Sequence, residues 1–408
     1  MRLFVPGAVL TCLLGVAAVA TAAPTPTFSK DVAPILYKNC VECHRQSMFA
    51  PMPLVTYQDA RPYAKVIKQR VVARSMPPWN ADPAIGHFRN DPRLTEAEVD
   101  TIARWADGGA PKGDDKDLPS LPVMAEGWTI GTPDMVFKME APFRIPANGA
   151  VDYQYVRIPV NLPADRWIKA IEIKPGARAQ VHHVIAYTQE SGKPVSEGGV
   201  LGPNNIGGAT PNKPGVVFPD GVARLLHGKH DIVLQMHYTT NGTAAEDLTQ
   251  VGVIFAKEPP VKQAAGGLVI NPRFVIPPND GNFEVRGVNT LAQDTVVTSM
   301  TPHMHVRGKD MTYIAHYPDG REETLLRVPR YDFNWQITYE LAEPKVLPKG
   351  TKIEVIAHFD NSPNNKFNPD ASQAVRWGDQ TWEEMMIGFF GTVREMPKAG
   401  SSTSGAQQ

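Results

Sequence analysis

Two imidazoles stand two residues apart in Thr301-Pro302-His303-Met304-His305-Val306-Arg307-Gly308, inside a stretch that otherwise reads as strand. On a pleated strand side chains i and i+2 share a face, so His303 and His305 can close on one metal ion. Such a pair also suits a plain surface strand, so the weight falls on the other histidines. Val181-His182-His183-Val184-Ile185 sets two side by side, and Ile232-Val233-Leu234-Gln235-Met236-His237-Tyr238 sets a third in an apolar strand. Neighbours on a strand face opposite ways, so His182 and His183 share an ion only at a bulge or a strand end. Near the C-terminus Thr381-Trp382-Glu383-Glu384-Met385-Met386 runs into a strand at Ile387. Grouped by chain position, the donors make one set of three imidazoles and one of two imidazoles plus a thioether. Both suit copper, because imidazole serves either oxidation state and a soft sulfur favours Cu(I); zinc suits only the first set.

A second chemistry is written in Cys40-Val41-Glu42-Cys43-His44. Two thiols at this spacing followed by a histidine form the c-type haem attachment pattern, with His44 placed to take the iron from one side. A disulfide or a zinc knuckle are the alternatives, but a single CxxC with one adjacent histidine lacks the rest of a closed zinc set. Met76, in Arg74-Ser75-Met76-Pro77-Pro78-Trp79, can present its thioether as the second axial ligand, with Met48, Met52 and His87 as rivals. A Met/His haem has no free coordination position, so its task is to carry electrons.

The elements that must hold these groups change in kind along the chain. Residues 1–22 read as a secretory signal: Met1-Arg2, an apolar run from Leu3 to Ala20, and small residues for cleavage near Ala22. This predicts a periplasmic or secreted protein with no membrane span in the mature chain; a retained anchor is the alternative, since the run approaches spanning length. Residues 23–115 then read as a small helical unit. Ser29 is a candidate cap for a first helix and Thr56 for a second, and Thr95 with Glu98 forms a capping box ahead of the stripe Val99, Ile102, Ala103 and Ala106. Residues 116–127 read as a linker. From there to residue 397 the chain is a series of short alternating or β-branched runs, among them Val181 to Tyr187, Ile232 to Thr239, Val296 to His305 and Ile353 to Phe359. Pro318-Asp319-Gly320 is a hairpin turn. With 38 prolines in 408 residues the composition favours turn-rich sandwiches, and this region is long enough for two in series, 128–275 and 276–397. The expected architecture is multidomain: a small all-α domain, then two all-β antiparallel, jelly-roll-like sandwiches, and a disordered tail from 398. A formal net charge of -1 gives no basic footprint for nucleic acid.

Residues from about 24 to 115 resemble the class I cytochromes c, in which the distal methionine lies in a loop before the last helix, as Met76 does here. The segments around His182-His183-Val184, Leu234 to Tyr238, His303-Met304-His305 and Glu383-Glu384-Met385 occur in the order and rough spacing of the type II copper, ascorbate-dependent monooxygenases. That family includes peptidylglycine α-hydroxylating monooxygenase and dopamine β-monooxygenase. The resemblance implies an electron-transfer copper on His182, His183 and His237 in the first sandwich. It implies an oxygen-activating copper on His303, His305 and Met385 in the second, the two facing each other across a water-filled cleft. It further implies O2 and a small organic molecule as substrates and an ascorbate-like reductant as donor. Because a haem unit here precedes the copper region on the same chain, electrons from such a reductant or a redox protein are expected to pass through the haem to the His182/His183/His237 copper. The peptide-amidating enzymes carry arginine where this chain has Thr301 and tyrosine where it has Phe389, which argues against a peptide substrate. The β region contains no cysteine, so no disulfide braces it. Outside the family reading stand a non-enzymatic electron-transfer or copper-handling protein and a respiratory-type reductase. His227, His230, His316 and His358 read as structural. Residues 190–221 read either as a cover for the cleft or as plain connection.

Overall fold

The computed structural model describes residues 24–46, 48, 50–122, 127–202, 204–210 and 215–396. The expected signal sequence and C-terminal tail lie outside these, as do residues 123–126 of the expected linker. The helices are short and gathered at the start, and the rest of the described chain is strand and turn. Among the described residues no helix is long and apolar enough to cross a membrane.

The helical unit begins two residues earlier than Ser29 would set it. Thr27 is the N-cap and its backbone N–H donates to the Asp31 carboxylate at 2.7 Å, while Ser29 is buried inside the helical turn Phe28–Val32. Helix Ala33–Asn39 continues from there and ends at Cys40. Thr56 with Asp59 and Thr95 with Glu98 form complete capping boxes, each side chain serving the other's backbone N–H. Thr56 opens only Tyr57–Ala60; the following helix Ala64–Val72 and the helix Glu96–Asp107 opened by Thr95 bring Ile67, Val71, Val99, Ile102 and the fully buried Trp105 into one core with Phe28 and Leu36. Between the helices Ala64–Val72 and Glu96–Asp107 the chain leaves this core. Trp79 packs edge-on against Tyr339 (centroids 4.8 Å), and Phe88 bridges to Leu341, so this excursion lies on the second sandwich.

The strands form two antiparallel sandwiches with separate cores. In the first, the sheet of Met135–Lys138, Gln250–Phe255, Arg166–Lys174 and Val222–Leu226 faces the sheet of Gln154–Ile158, His230–Tyr238, Val181–Glu190 and Asn205–Ala209. The second sets Lys262–Ile270, Ile387–Glu395, Thr295–His303 and Tyr339–Leu347 against Phe283–Thr290, Lys352–Phe359, Gly308–His316 and Glu322–Val328. The hairpin at Pro318-Asp319-Gly320 closes with Tyr317 N–H on Arg321 O at 2.8 Å. The sandwiches are not merely in series. Val222 and Ala223 pair in parallel with Lys262 and Gln263, which fuses one sheet of each into a single nine-stranded sheet. The strand of His303 belongs to this fused sheet, whereas His182, His183 and His237 lie on the other, unfused sheet of the first sandwich.

Candidate metal centre

The strand Val181–Glu190 pairs with His230–Tyr238 so that Val181 faces Tyr238 and His183 faces His237, leaving His182 as an extra residue in a bulge. That irregularity turns His182 to the face of its neighbour, which a regular pleat forbids. Three Nδ1 atoms then converge: His182 to His183 at 3.0 Å and His182 to His237 at 3.3 Å. Donors bound at about 2.0 Å in tetrahedral array stand about 3.3 Å apart, so the spacing suits one ion. Thr381 reaches across from the second sandwich to His237 Nε2 at 3.2 Å, and the buried ring of Tyr153 stacks on His237 with centroids 4.7 Å apart.

The second set departs from the pleat that its spacing suggests. The strand Thr295–His303 stops at His303, and His305 lies in the following turn. The reason is Glu384: its carboxylate accepts the backbone N–H of His305 at 2.8 Å and of Arg307 at 2.6 Å, taking the place of a neighbouring strand. The rings still converge, with centroids 5.4 Å apart at 87°. Each has its Nδ1 fixed, His303 by Gln336 Oε1 at 2.8 Å and His305 by the Glu383 carbonyl at 3.2 Å. With those protons engaged, Nε2 is the aprotic nitrogen of both rings, and His305 Nε2 is buried without a hydrogen-bond partner. Met385 is buried two residues before Ile387, the residue that pairs with His303, and one after Glu384. Tyr331 clamps the turn from the other side, donating to Met304 O at 2.7 Å and accepting from Met304 N–H at 3.1 Å. A Cβ at Gly308 would stand 2.8 Å from the Tyr331 ring, so only glycine allows that approach.

Desolvation sets the protonation of the cluster. Burial pushes His182 and His303 down to about 4 and His305 to about 3, and it holds His183 and His237 well below the usual histidine range, neighbouring imidazoles adding to the effect. All five are therefore neutral at pH 7, the form that binds metal. Glu384, fully buried, is pushed up to about 8 although Arg307 and the two N–H groups oppose the rise.

The two sets do not face each other across a water-filled cleft as the resemblance implies. His183 and His303 are in ring contact, and Phe333 stacks on His182 (4.7 Å) and touches His237 and His305 (5.8 and 6.1 Å). Phe333, from the second sandwich, lies between the two sets. Beside this contact lies a cavity of about 500 Å³ lined by His183, His303, Gln336, Thr301 and Phe389. Residues 190–221 supply part of its wall through the turn Glu197–Leu201 and the strands Asn205–Ala209 and Gly215–Val217.

Cys40 caps the helix Ala33–Asn39, and the backbone N–H groups of Cys43 and His44 both return to Cys40 O (3.1 and 2.9 Å). Both thiols are free; burial pushes Cys40 up to about 12 and Cys43 to about 11. His44 Nδ1 meets Met52 O at 3.1 Å, which leaves Nε2 to face a ligand. Two thiols on one tight turn beside a histidine so oriented fit a covalently held haem. Arg178, four residues before His182, lies within electrostatic reach of Cys43, Glu42 and Arg45. Met76 is half-buried just after the helix Ala64–Val72; Met48 Sδ lies 3.9 Å from Arg45; His87 is exposed on the second sandwich, its carbonyl accepting from Ala342 N–H.

The remaining histidines are engaged by carboxylates or by one another. His227 meets Asp165 at 3.0 Å and packs on His230, His316 bridges Glu322 and Glu354 at 2.8 Å each, and His358 meets Asp310 at 2.7 Å. Sequence reasoning passed over Gln336, Phe333, Tyr153 and Tyr331, none of which lies near a histidine in the chain. Glu384 was legible only as part of a motif. No protein-family model matches the chain, and no curated protein matches it. Among solved structures it is similar to VP54 of PBCV-1 fitted into a reconstruction of the virophage Sputnik (TM-score 0.27, 8% identity, 64% of this chain and 93% of that one). It is also similar to the major capsid protein P2 of bacteriophage PM2 (0.26, 9%, 65% and 99%) and to allantoicase from Saccharomyces cerevisiae (0.18, 8%, 60% and 80%). Overlaps this loose carry no argument about the chain's activity.

Proposed function

We propose that the chain is an exported copper- and haem-dependent monooxygenase, periplasmic or secreted, built as a c-type haem domain joined to two jelly-roll-like copper sandwiches. It would hydroxylate a C–H bond of a small substrate: R–H + O2 + 2 electrons + 2 protons gives R–OH + H2O. The observation that carries this reading is the gathering of five neutral imidazoles from two sandwiches beside one cavity, with the buried Met385 two residues before the strand partner of His303. The order of these segments is that of the type II copper monooxygenases.

Copper in such sites supplies one-electron steps to O2, and haem c stores and passes electrons one at a time. The residues divide the remaining work. His182, His183 and His237 hold one ion, with Thr381 orienting His237. His303, His305 and Met385 hold the other, and Gln336 and the Glu383 carbonyl keep each Nε2 free of its proton. Phe333 keeps water from between the rings. Cys40, Cys43 and His44 hold the haem, with Met76 as the proposed distal ligand and Met48, Met52 or His87 in its place otherwise. The electrostatic influence of Arg178, four residues before His182, on Cys43 supports delivery of electrons to the His182/His183/His237 ion. An ascorbate-like reductant or a redox protein would refill the haem.

Metal analysis of the purified protein is expected to give two copper and one iron per chain. Met385→Ala is expected to abolish O2-dependent hydroxylation with the haem spectrum intact; unaffected turnover removes Met385 from the site. O2 uptake with no hydroxylated product would favour a reductase. When dithionite-reduced protein is mixed rapidly with O2, haem that stays reduced while copper turns over removes the electron route.

A further inference from the structure

The cavity beside His183 and His303 also holds a charge that nothing in the fold explains. Arg224, on the strand Val222–Leu226, lines it. Its guanidinium donates through Nη1 to Asn205 O and through Nη2 to Ala265 O (3.2 Å), and lies 5.7 Å from the Phe218 ring centroid. Its Nε is buried without a hydrogen-bond partner, and no carboxylate among the described residues pairs with it. Loss of solvent alone pulls its pKa down to about 10. The other charges on the wall, Arg89 and Glu340, meet each other at 2.8 Å.

A buried cation without a counter-charge is costly, and an apolar residue of similar volume commonly gives a more stable fold. Two backbone carbonyls orient this guanidinium but do not neutralise it. The edge formed by the unpartnered Nε and an Nη hydrogen has the geometry that matches the two coplanar oxygens of a carboxylate. Around it the cavity is apolar, with Leu201, Ile206, Leu268, Phe389 and Phe390 on its walls. Its volume falls in the range of small-molecule sites.

We propose that Arg224 binds the carboxylate of the substrate, a small organic acid with an apolar body that extends through the cavity toward His303. Its role as substrate rests on the oxygenase reading above, whereas the Arg224–carboxylate contact does not need copper. Arg224 is then a specificity-determining residue: it selects acids over neutral isosteres of the same shape.

The test is calorimetric titration of the haem-loaded, copper-free full chain with 3-phenylpropionate and with its primary amide. The acid is expected to bind at least about tenfold more tightly than the amide, since a site built for a charged partner strongly rejects its neutral analogue. In Arg224→Met the ratio is expected to fall to about one, and in Arg224→Lys, which keeps the charge but loses the fork, to an intermediate value. Equal affinities in the wild type, binding of neither probe, or an acid preference that survives in Arg224→Met overturns the assignment. Should Arg224→Met fail to fold, the wild-type comparison and Arg224→Lys still decide. Because copper is absent, these results stand apart from the metal count and product analysis that test the oxygenase reading.

Discussion

His183 of the first sandwich and His303 of the second stand ring to ring, with centroids 6.1 Å apart and planes at 89°. Residues 120 positions apart in sequence thus share one pocket, and two donor sets that would each make a separate site are neighbours. Ions held on the two sets interact magnetically, because dipolar coupling falls with the cube of distance. The Cu(II)-loaded protein is expected to give an EPR spectrum broadened by spin coupling. His183→Ala should halve the copper content and sharpen the spectrum. Two narrow, additive signals in the wild type would show that the sites act as isolated centres.

Glu384 holds the turn that carries His305, and it does so without touching solvent. Glu384→Ala leaves the buried backbone N–H groups of His305 and Arg307 without their acceptor, which costs about 1–3 kcal/mol each. The urea midpoint of the metal-free protein should fall accordingly. Glu384→Gln keeps the shape and one acceptor and should lose less. A midpoint unchanged in the alanine variant would mean that the turn is held by other groups.

Gln336 sets the tautomer of His303 through Nδ1. Gln336→Leu is expected to weaken copper binding at the His303/His305/Met385 set by about 10–100-fold, as removal of an outer partner of a ligating histidine commonly does. Chelator competition, read separately for the two ions, should leave the three-histidine set unchanged. An equal loss at both sets would point to a general packing defect.

Acidification should destabilise the metal-free fold in a defined window. Unfolded, the five imidazoles take up protons near pH 6.5; folded, His182 and His303 resist until about 4 and His305 until about 3. The unfolded state therefore binds more protons between these limits, and stability falls as the pH drops from about 6.5 toward about 4. Glu384, raised to about 8, works in the opposite sense, since its neutral form is the one the fold prefers. So does the partly exposed His316, raised by Glu354 and Glu322, though solvent screening weakens its contribution. Five imidazoles outweigh these two, and in a Glu384→Gln background the fall should be steeper. Urea midpoints at about pH 7, 5.5 and 4.5 read it directly, and a flat or rising series would contradict the burial of the cluster.

What the chain declares by itself is local. The Cys40-x-x-Cys43-His44 turn, the capping boxes at Thr56 and Thr95, and the hairpin at Pro318-Asp319-Gly320 depend on residues within a few positions of one another, and short-range sterics and hydrogen bonding decide them. The adjacency of His182 and His183 carried a requirement for a bulge, but only pairing with His237 placed it. Other outcomes depended on chain segments far apart. His305 leaves the strand because Glu384, 79 residues on, captures its N–H. His183 and His303 come into ring contact from different sandwiches, and Phe333 reaches His182 from a turn of the second. Arg224 reads in the sequence as one more strand-borne cation; its lack of a counter-charge becomes visible only once the walls around it are assembled. Donor types are a property of residues, whereas the partners, the desolvation and the empty volume that turn donors into a site are properties of packing.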